Sequence, residues 1–267
     1  MTDKLSDKIE IAYNTETPRP FYAKGSIGAS AVGNSCDAYL SLSLRGFPEE
    51  PIDAQLKRIF RDGHRIEIDV LKDIQKAGVD VTFKDEFTGK QFKWVKYGGH
   101  AVFKSDGLLS DGKVLLEIKS MNNALWTKFK GYGIKISHPH YYDQMQMGMG
   151  LSGIQSCVML AYNKDKSTYH DELVEFDPIR WGFLSSRIDR AIAGDVEKIG
   201  RDETDWRCRE CPKRGACWGL REIPKTVRTC AHSSPDNSGG FTCPCGGDDT
   251  KGCLGSYEQF KPKERSQ

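Results

Sequence analysis

The chain has 267 residues, 38% of them hydrophobic and 28% charged, with a formal net charge of +2. That length suits one sizeable domain with an appendage, and the composition is that of a globular protein. No apolar run approaches the roughly 20 residues that span a bilayer, which argues against a helical membrane protein, and the near-neutral balance means that any basic surface must be local.

The opening MTDKLSDKIEIAYN has no apolar signal core, so a cytoplasmic location is expected. Residues 1–24 are polar, carry Pro18 and Pro20, and are expected to form an N-terminal arm. Residues 26–44 are small and mildly apolar; the reading is a short helix opening near Ser30 with Cys36 inside it, ended by Gly46-Phe47-Pro48. Residues 53–77 form an amphipathic pattern, with Leu56, Ile59, Phe60, Gly63, Glu67, Val70, Leu71 and Ile74 at three- and four-residue steps and Gly78 as the stop. Glu67 falls within the apolar stripe and His64 borders it. A carboxylate there needs a cation or hydrogen bonds; an ion pair with a neighbouring arginine is the plain alternative.

Residues 79–83 and 91–96 read as strands around a turn at Thr88-Gly89, and His100 as a structural loop residue. The run SDGLLSDGKVLLEIKS is richer. Asp111-Gly112 is a strong hairpin signal, and residues 114–119 read as its second strand. Side chains alternate along a strand, so Glu117 and Lys119 share one face while Ile118 takes the other. Pairing brings Asp106, at the end of the preceding strand, close to them. Two carboxylates supply hard oxygen ligands to Mg²⁺ or Mn²⁺, and a lysine offsets charge growing on a phosphodiester. A solvated edge hairpin is the alternative; Leu115, Leu116 and Ile118 favour a buried strand instead.

Residues 122–142 mix Lys128, Lys130 and Lys135 with Trp126, Phe129 and Tyr132, a pattern shared by base-stacking surfaces and ordinary amphipathic segments. A helix is predicted after Pro139, carrying Gln144 and Gln146. A buried strand over 156–162, with Cys157 as core, precedes an edge strand over 168–176 and a long helix over 177–199. The fold class predicted is α/β, a mixed central sheet flanked by helices, with a Cys-rich C-terminal region.

Cys36 and Cys157 stand alone; the other seven cysteines crowd into the final quarter. In a reducing compartment clustered thiols read as metal ligands. Cys208-x2-Cys211-x5-Cys217 supplies three, and either a tail cysteine or Cys36 completes the set; spacing alone leaves zinc and iron–sulfur open. Cys230, His232, Cys243, Cys245 and Cys253 are candidate zinc ligands of a small knuckle, five for four positions, against the alternative of a flexible tail with free thiols.

His64 and Glu67 on a helix, then Asp106, Glu117-Ile118-Lys119 and Gln144, resemble the PD-(D/E)XK nuclease superfamily in its RecB-like branch. One early cysteine with a late C-x2-C-x5-C resembles that branch's iron–sulfur exonucleases, of the AddB and CRISPR-associated types, and the spacing around His64 and Asp106 is similar to phage recombination exonucleases. The resemblance covers about residues 25–220. It implies a restriction-endonuclease-like core over 25–200, a cluster loop over 201–222 and a Cys-rich tail over 223–267. It implies metal ligation by Asp106, Glu117 and His64, catalytic roles for Lys119, Glu67 and Gln144, and a 4Fe–4S cluster on Cys36, Cys208, Cys211 and Cys217. The activity implied is Mg²⁺- or Mn²⁺-dependent hydrolysis of DNA, as single strands or duplex ends, by a homo-oligomer or beside a recombination partner and away from membranes. A non-catalytic nucleic-acid-binding protein is the alternative. Ser105 replaces the motif's proline, and Gly148 replaces an aromatic residue expected after the glutamine.

Overall fold

A computed structural model of the protein describes residues 4–15 and 25–265; Pro18 and Pro20 lie outside the described residues. Part of the predicted arm is helix α1 (Leu5–Thr15). β1 (Ile27–Gly28), α2 (Ala29–Val32) and α3 (Asp37–Leu44) follow. The sequence reading puts Cys36 inside a helix; it stands instead at the N-cap of α3, its N–H donating to Asn34 Oδ1 at 2.9 Å. The break is physical. An asparagine side chain competes for the backbone donor, and Gly33 sits where an added Cβ would lie 2.7 Å from His140.

α4 (Ala54–Lys76) is capped by Asp53, whose carboxylate accepts from the Leu56 N–H at 2.7 Å. It ends before Gly78, which takes φ +72° as a terminating glycine does. Its apolar stripe is buried only in its second half: Val70 packs with Leu116 and Ile118 of the sheet, while Ile59 and Phe60 stay about half exposed. The first turns of α4 carry α1 instead, through Lys57 Nζ to Tyr13 O (2.5 Å) and Arg58 to Glu10 (2.5 Å).

Beyond α4 come β2 (Val81–Thr82), β3 (Lys93–Lys96), β4 (Ala101–Lys104), β5 (Gly107–Leu109) and β6 (Val114–Met121). Two consecutive helices, α5 (Asn123–Ser137) and α6 (Pro139–Ser152), then lead to β7 (Ser156–Asn163), β8 (Thr168–Glu175) and α7 (Pro178–Ala193). The central sheet has the order β2-β5-β6-β7-β8, with β6 and β7 parallel and every other pair antiparallel. A parallel pair needs a long crossover, and α5 and α6 supply it. This is the mixed α/β sheet the sequence predicts, with β8 on its edge. A smaller sheet, β1-β4-β3, leads into it. α4 covers the Leu116–Ile118 face. Leu115, Met121, Met159 and Ala161 on the other face join the main core with α6 methionines. α7 is shorter than predicted, because Gly194 ends it in a left-handed turn.

α6 lies unusually close to its neighbours. A Cβ on Gly148 would meet the Phe103 ring at 2.6 Å, and one on Gly150 would meet Trp181 at 2.3 Å. An aromatic residue at position 148 therefore has no space.

α8 (Arg214–Cys217) lies in the loop before the tail. The tail packs against the core and contains a short pair, β9 (Ser234–Pro235) with β10 (Phe241–Thr242). Arg228, 1% exposed, donates to Gly25 O, Leu44 O, Gly239 O and Asp249 Oδ2. Arg45, equally buried, donates to Arg228 O and Cys230 O at 3.0 Å each. His100, buried, lies with Nε2 2.6 Å from Asp236 O, the structural role expected of it. Val227, Phe241 and Phe260 enter the same core as β1 and α3. Among the described residues no helix is long and apolar enough to cross a membrane.

Candidate active site

β5 begins only at Gly107, opposite Leu116, so β6 runs on past it without that neighbour. Asp106 takes over. Its N–H donates to Leu116 O (3.2 Å) and its Oδ2 accepts from the Ile118 N–H at 2.8 Å, in place of a ladder bond. Ser105 fixes the bend: its buried hydroxyl lies 2.6 Å from Gly107 O and 3.2 Å from Leu116 O. Serine in the motif's proline position thus supplies hydrogen bonds where a proline would supply a rigid φ.

Glu117 points to the opposite face from Ile118, as alternation predicts, and is 2% exposed. Gln144 Nε2 donates to its Oε1 at 2.6 Å, reaching across from α6. Lys119 Nζ contacts the same oxygen, and stands 5.1 Å from the Tyr141 ring centroid. A carboxylate this buried needs such partners.

Charges confirm how close the groups are. Burial pushes the Asp106 carboxyl well above the usual range, and the neighbouring Glu117 and Glu67 charges add to it. Glu67 on α4 is likewise raised, by burial first; His64 and Lys119 oppose the shift and Glu117 supports it. Burial opposes the Lys119 charge, but the Glu117 carboxylate beside it wins and holds the ammonium above the ordinary lysine range. Three acids and one lysine therefore share one pocket of charge. His64 is exposed on α4, its Nδ1 2.7 Å from its own helix's Phe60 O. It adjoins Glu67 rather than the carboxylates of the sheet.

The sequence reading misses His140 and Tyr141. Partial burial and the Lys119 charge both lower the His140 ring's basicity, which places it beside the lysine. Tyr141 stands three residues before Gln144, on the same helix face, and that spacing was the available signal.

Cys36, Cys208, Cys211 and Cys217 line a single small cavity, with Lys198 and Trp218 among its walls. The N-cap of α3 delivers Cys36; a tight turn, in which Cys211 N–H donates to Cys208 O at 3.1 Å, delivers two of the others. Burial raises all three of Cys36, Cys211 and Cys217, the last to about 12, and each feels its neighbouring thiols. Of the two closures left open by spacing, it is Cys36 that lines this cavity. In the tail, His232 is 53% exposed and pairs with Glu258 at 3.2 Å. Among the described residues, no group of three or more His, Cys, Asp or Glu side chains is placed so that it could hold a metal ion.

No family model and no curated protein sequence matches the chain. Several solved structures are similar in part. An alkaline exonuclease, LHK-Exo from Laribacter hongkongensis, is 22% identical over 70% of this chain and 91% of its own, with a TM-score of 0.47. The same protein in complex with dAMP gives 23%, 66%, 91% and 0.48. A phage related exonuclease from Haemophilus somnus 129PT gives 14%, 61%, 78% and 0.43. These are partial likenesses of fold, and function is argued from the residues of the site itself.

Proposed function

We propose that the chain is a metal-dependent DNA exonuclease acting on single strands or duplex ends. The observation that carries the reading is the meeting of Asp106, Glu117 and Glu67 with Lys119 at the point where β6 outruns β5. The donor set fits Mg²⁺ or Mn²⁺: hard carboxylate oxygens, crowded until their own charges oppose one another, which a cation relieves. Asp106 and Glu117 would hold the ion, with Glu67 and His64 on its α4 side. When bound, such an ion polarises a phosphoryl oxygen and lowers the pKa of a water.

The chain's own groups do the rest. Lys119, kept protonated by Glu117, places a positive charge where the pentacovalent phosphate gathers negative charge. Gln144 fixes the Glu117 carboxylate, and the Ile118 N–H fixes that of Asp106. Both acids are thus oriented before substrate arrives. Tyr141 and His140 border Lys119 and offer rings to a terminal base or sugar. The cysteine cavity supports a second part of the reading, a 4Fe–4S cluster on Cys36, Cys208, Cys211 and Cys217 that joins the start of the core to its end.

Labelled single- and double-stranded DNA, with 5′ or 3′ ends blocked, tests the proposal. Cleavage is expected with Mg²⁺ or Mn²⁺, none with chelator. Lys119→Ala is expected to lower the rate on the order of 10²–10³-fold without changing the circular dichroism spectrum. Undiminished cleavage by that variant, or DNA binding without any cleavage by the intact protein, overturns it.

A further inference from the structure

The tail beyond Trp218 docks on the core through Val227, Phe241 and Phe260 but has little regular structure of its own. Its regular structure among the described residues is β9 and β10, two residues each. A unit so poor in secondary structure is ordinarily stapled by disulfides or a metal, and every cysteine here is a free thiol.

Four of those thiols come from three stretches of chain that neighbour one another. Cys243 and Cys245 have sulfurs 2.9 Å apart. They flank a tight turn in which Gly246 N–H donates to Cys243 O and Cys243 N–H to Gly247 O, both at 2.9 Å. The backbone N–H groups of Gly247 and Leu254 point at the Cys245 sulfur, as they do at thiolate ligands. Cys253 reaches the same place: its sulfur lies 3.5 Å from Gly255 O, and a Cβ on Gly255 would sit 2.8 Å from Cys245 Cβ. Cys230, fully buried, is within electrostatic reach of Cys243. The Cys230–Gln259 bridge lays the segment after Cys253 alongside it, and Tyr257 feels both Cys230 and Cys253. His232, the fifth candidate, faces solvent beside Glu258.

We propose that Cys230, Cys243, Cys245 and Cys253 hold a structural zinc ion, with His232 outside the set. Four soft thiolates with no open position and no substrate-facing cleft suit a redox-inert tetrahedral ion. As they stand, these thiols do not form a group of three or more that could hold an ion; zinc binding would draw them together, because structural zinc binding and folding are coupled. The site is independent of the nuclease reading, since none of its residues touches Asp106, Glu117 or Lys119.

Elemental analysis of the full chain is the test, joined to mass-mapped thiol alkylation of the native wild type. About one tail-bound zinc per chain is expected. Cys230, Cys243, Cys245 and Cys253 should resist alkylation until a chelator is added. Cys253→Ser should lose the zinc, and His232→Ala and Cys208→Ser should keep it. The alkylation arm uses unmutated protein, so a variant that fails to fold does not decide the matter. Absence of zinc from the wild type, full retention by Cys253→Ser, loss on His232→Ala, or a Cys243–Cys245 disulfide in the native protein overturns the proposal.

Discussion

At the residue scale, the site is a place where the fold tolerates electrostatic cost. Glu117 is nearly inaccessible, and its neutralisation rests on Lys119 and Gln144. Gln144→Leu should therefore destabilise the protein by about 1–3 kcal/mol, the cost of leaving a buried acceptor short of a donor. Urea unfolding measures it. A loss below a few tenths of a kcal/mol would show that Glu117 does not depend on that bond. The acid–acid–lysine set was legible in the sequence because strand alternation is a strict period of two, and an Asp-Gly turn fixes the pairing. Glu67 was legible because it breaks an apolar stripe. His140 and Tyr141 were not read: the three-residue step from Tyr141 to Gln144 gives a shared helix face, but how the start of α6 lies over β6 is encoded in no local pattern.

At the scale of elements, α6 and α7 are held by a small polar network. Arg180 makes a two-point pair with Asp143, and Asp177 accepts from the Arg180 N–H at 2.9 Å as N-cap of α7. Asp177 also receives Lys135 and the Tyr142 hydroxyl. The backbone bond from Arg180, then that of Lys135, lowers its carboxyl to about 2. A depressed acid stabilises the fold above its unfolded value, about 3.9, and loses that contribution as pH falls through the folded value. Asp177→Ala should cost about 1 kcal/mol at neutral pH. The gap between variant and wild type should shrink as pH falls from about 4 toward 2. Thermal unfolding across that range checks it; a gap independent of pH rejects the assignment. Helix boundaries were readable where a cap or a glycine marks them, as at Asp53, Gly78 and Pro139. One was misread where packing decided: residues 195–199 leave the helix because Gly194 turns the chain; the Ile59–Phe60 stretch is helical as its period says, but stays half exposed.

At the scale of the molecule, the tail is part of the core. Arg228 fills a buried position between the segment after residue 25, the end of α3 and the tail's own Asp249. Arg228→Met removes the partner of Asp249 and the donor to three backbone carbonyls, and should cost about 3–5 kcal/mol. A fall in Tm, with early proteolytic cutting after residue 225, is the expected result. Unchanged stability would mean that the tail docks through its apolar residues alone. Nothing in the sequence announced this arginine, since a single cation among glycines and serines has no periodicity and its acceptors lie far away along the chain.

That embrace has a consequence for synthesis. A ribosome that has made everything up to Ile223 has produced the whole Asp106–Lys119 hairpin, yet the first strand and its helix still wait for a guanidinium not yet emerged. Nascent chains arrested before Arg228 should remain open to protease around residues 25–45, and those arrested well past Phe260 should not. The chain would thus be assembled last at the point that completes its core.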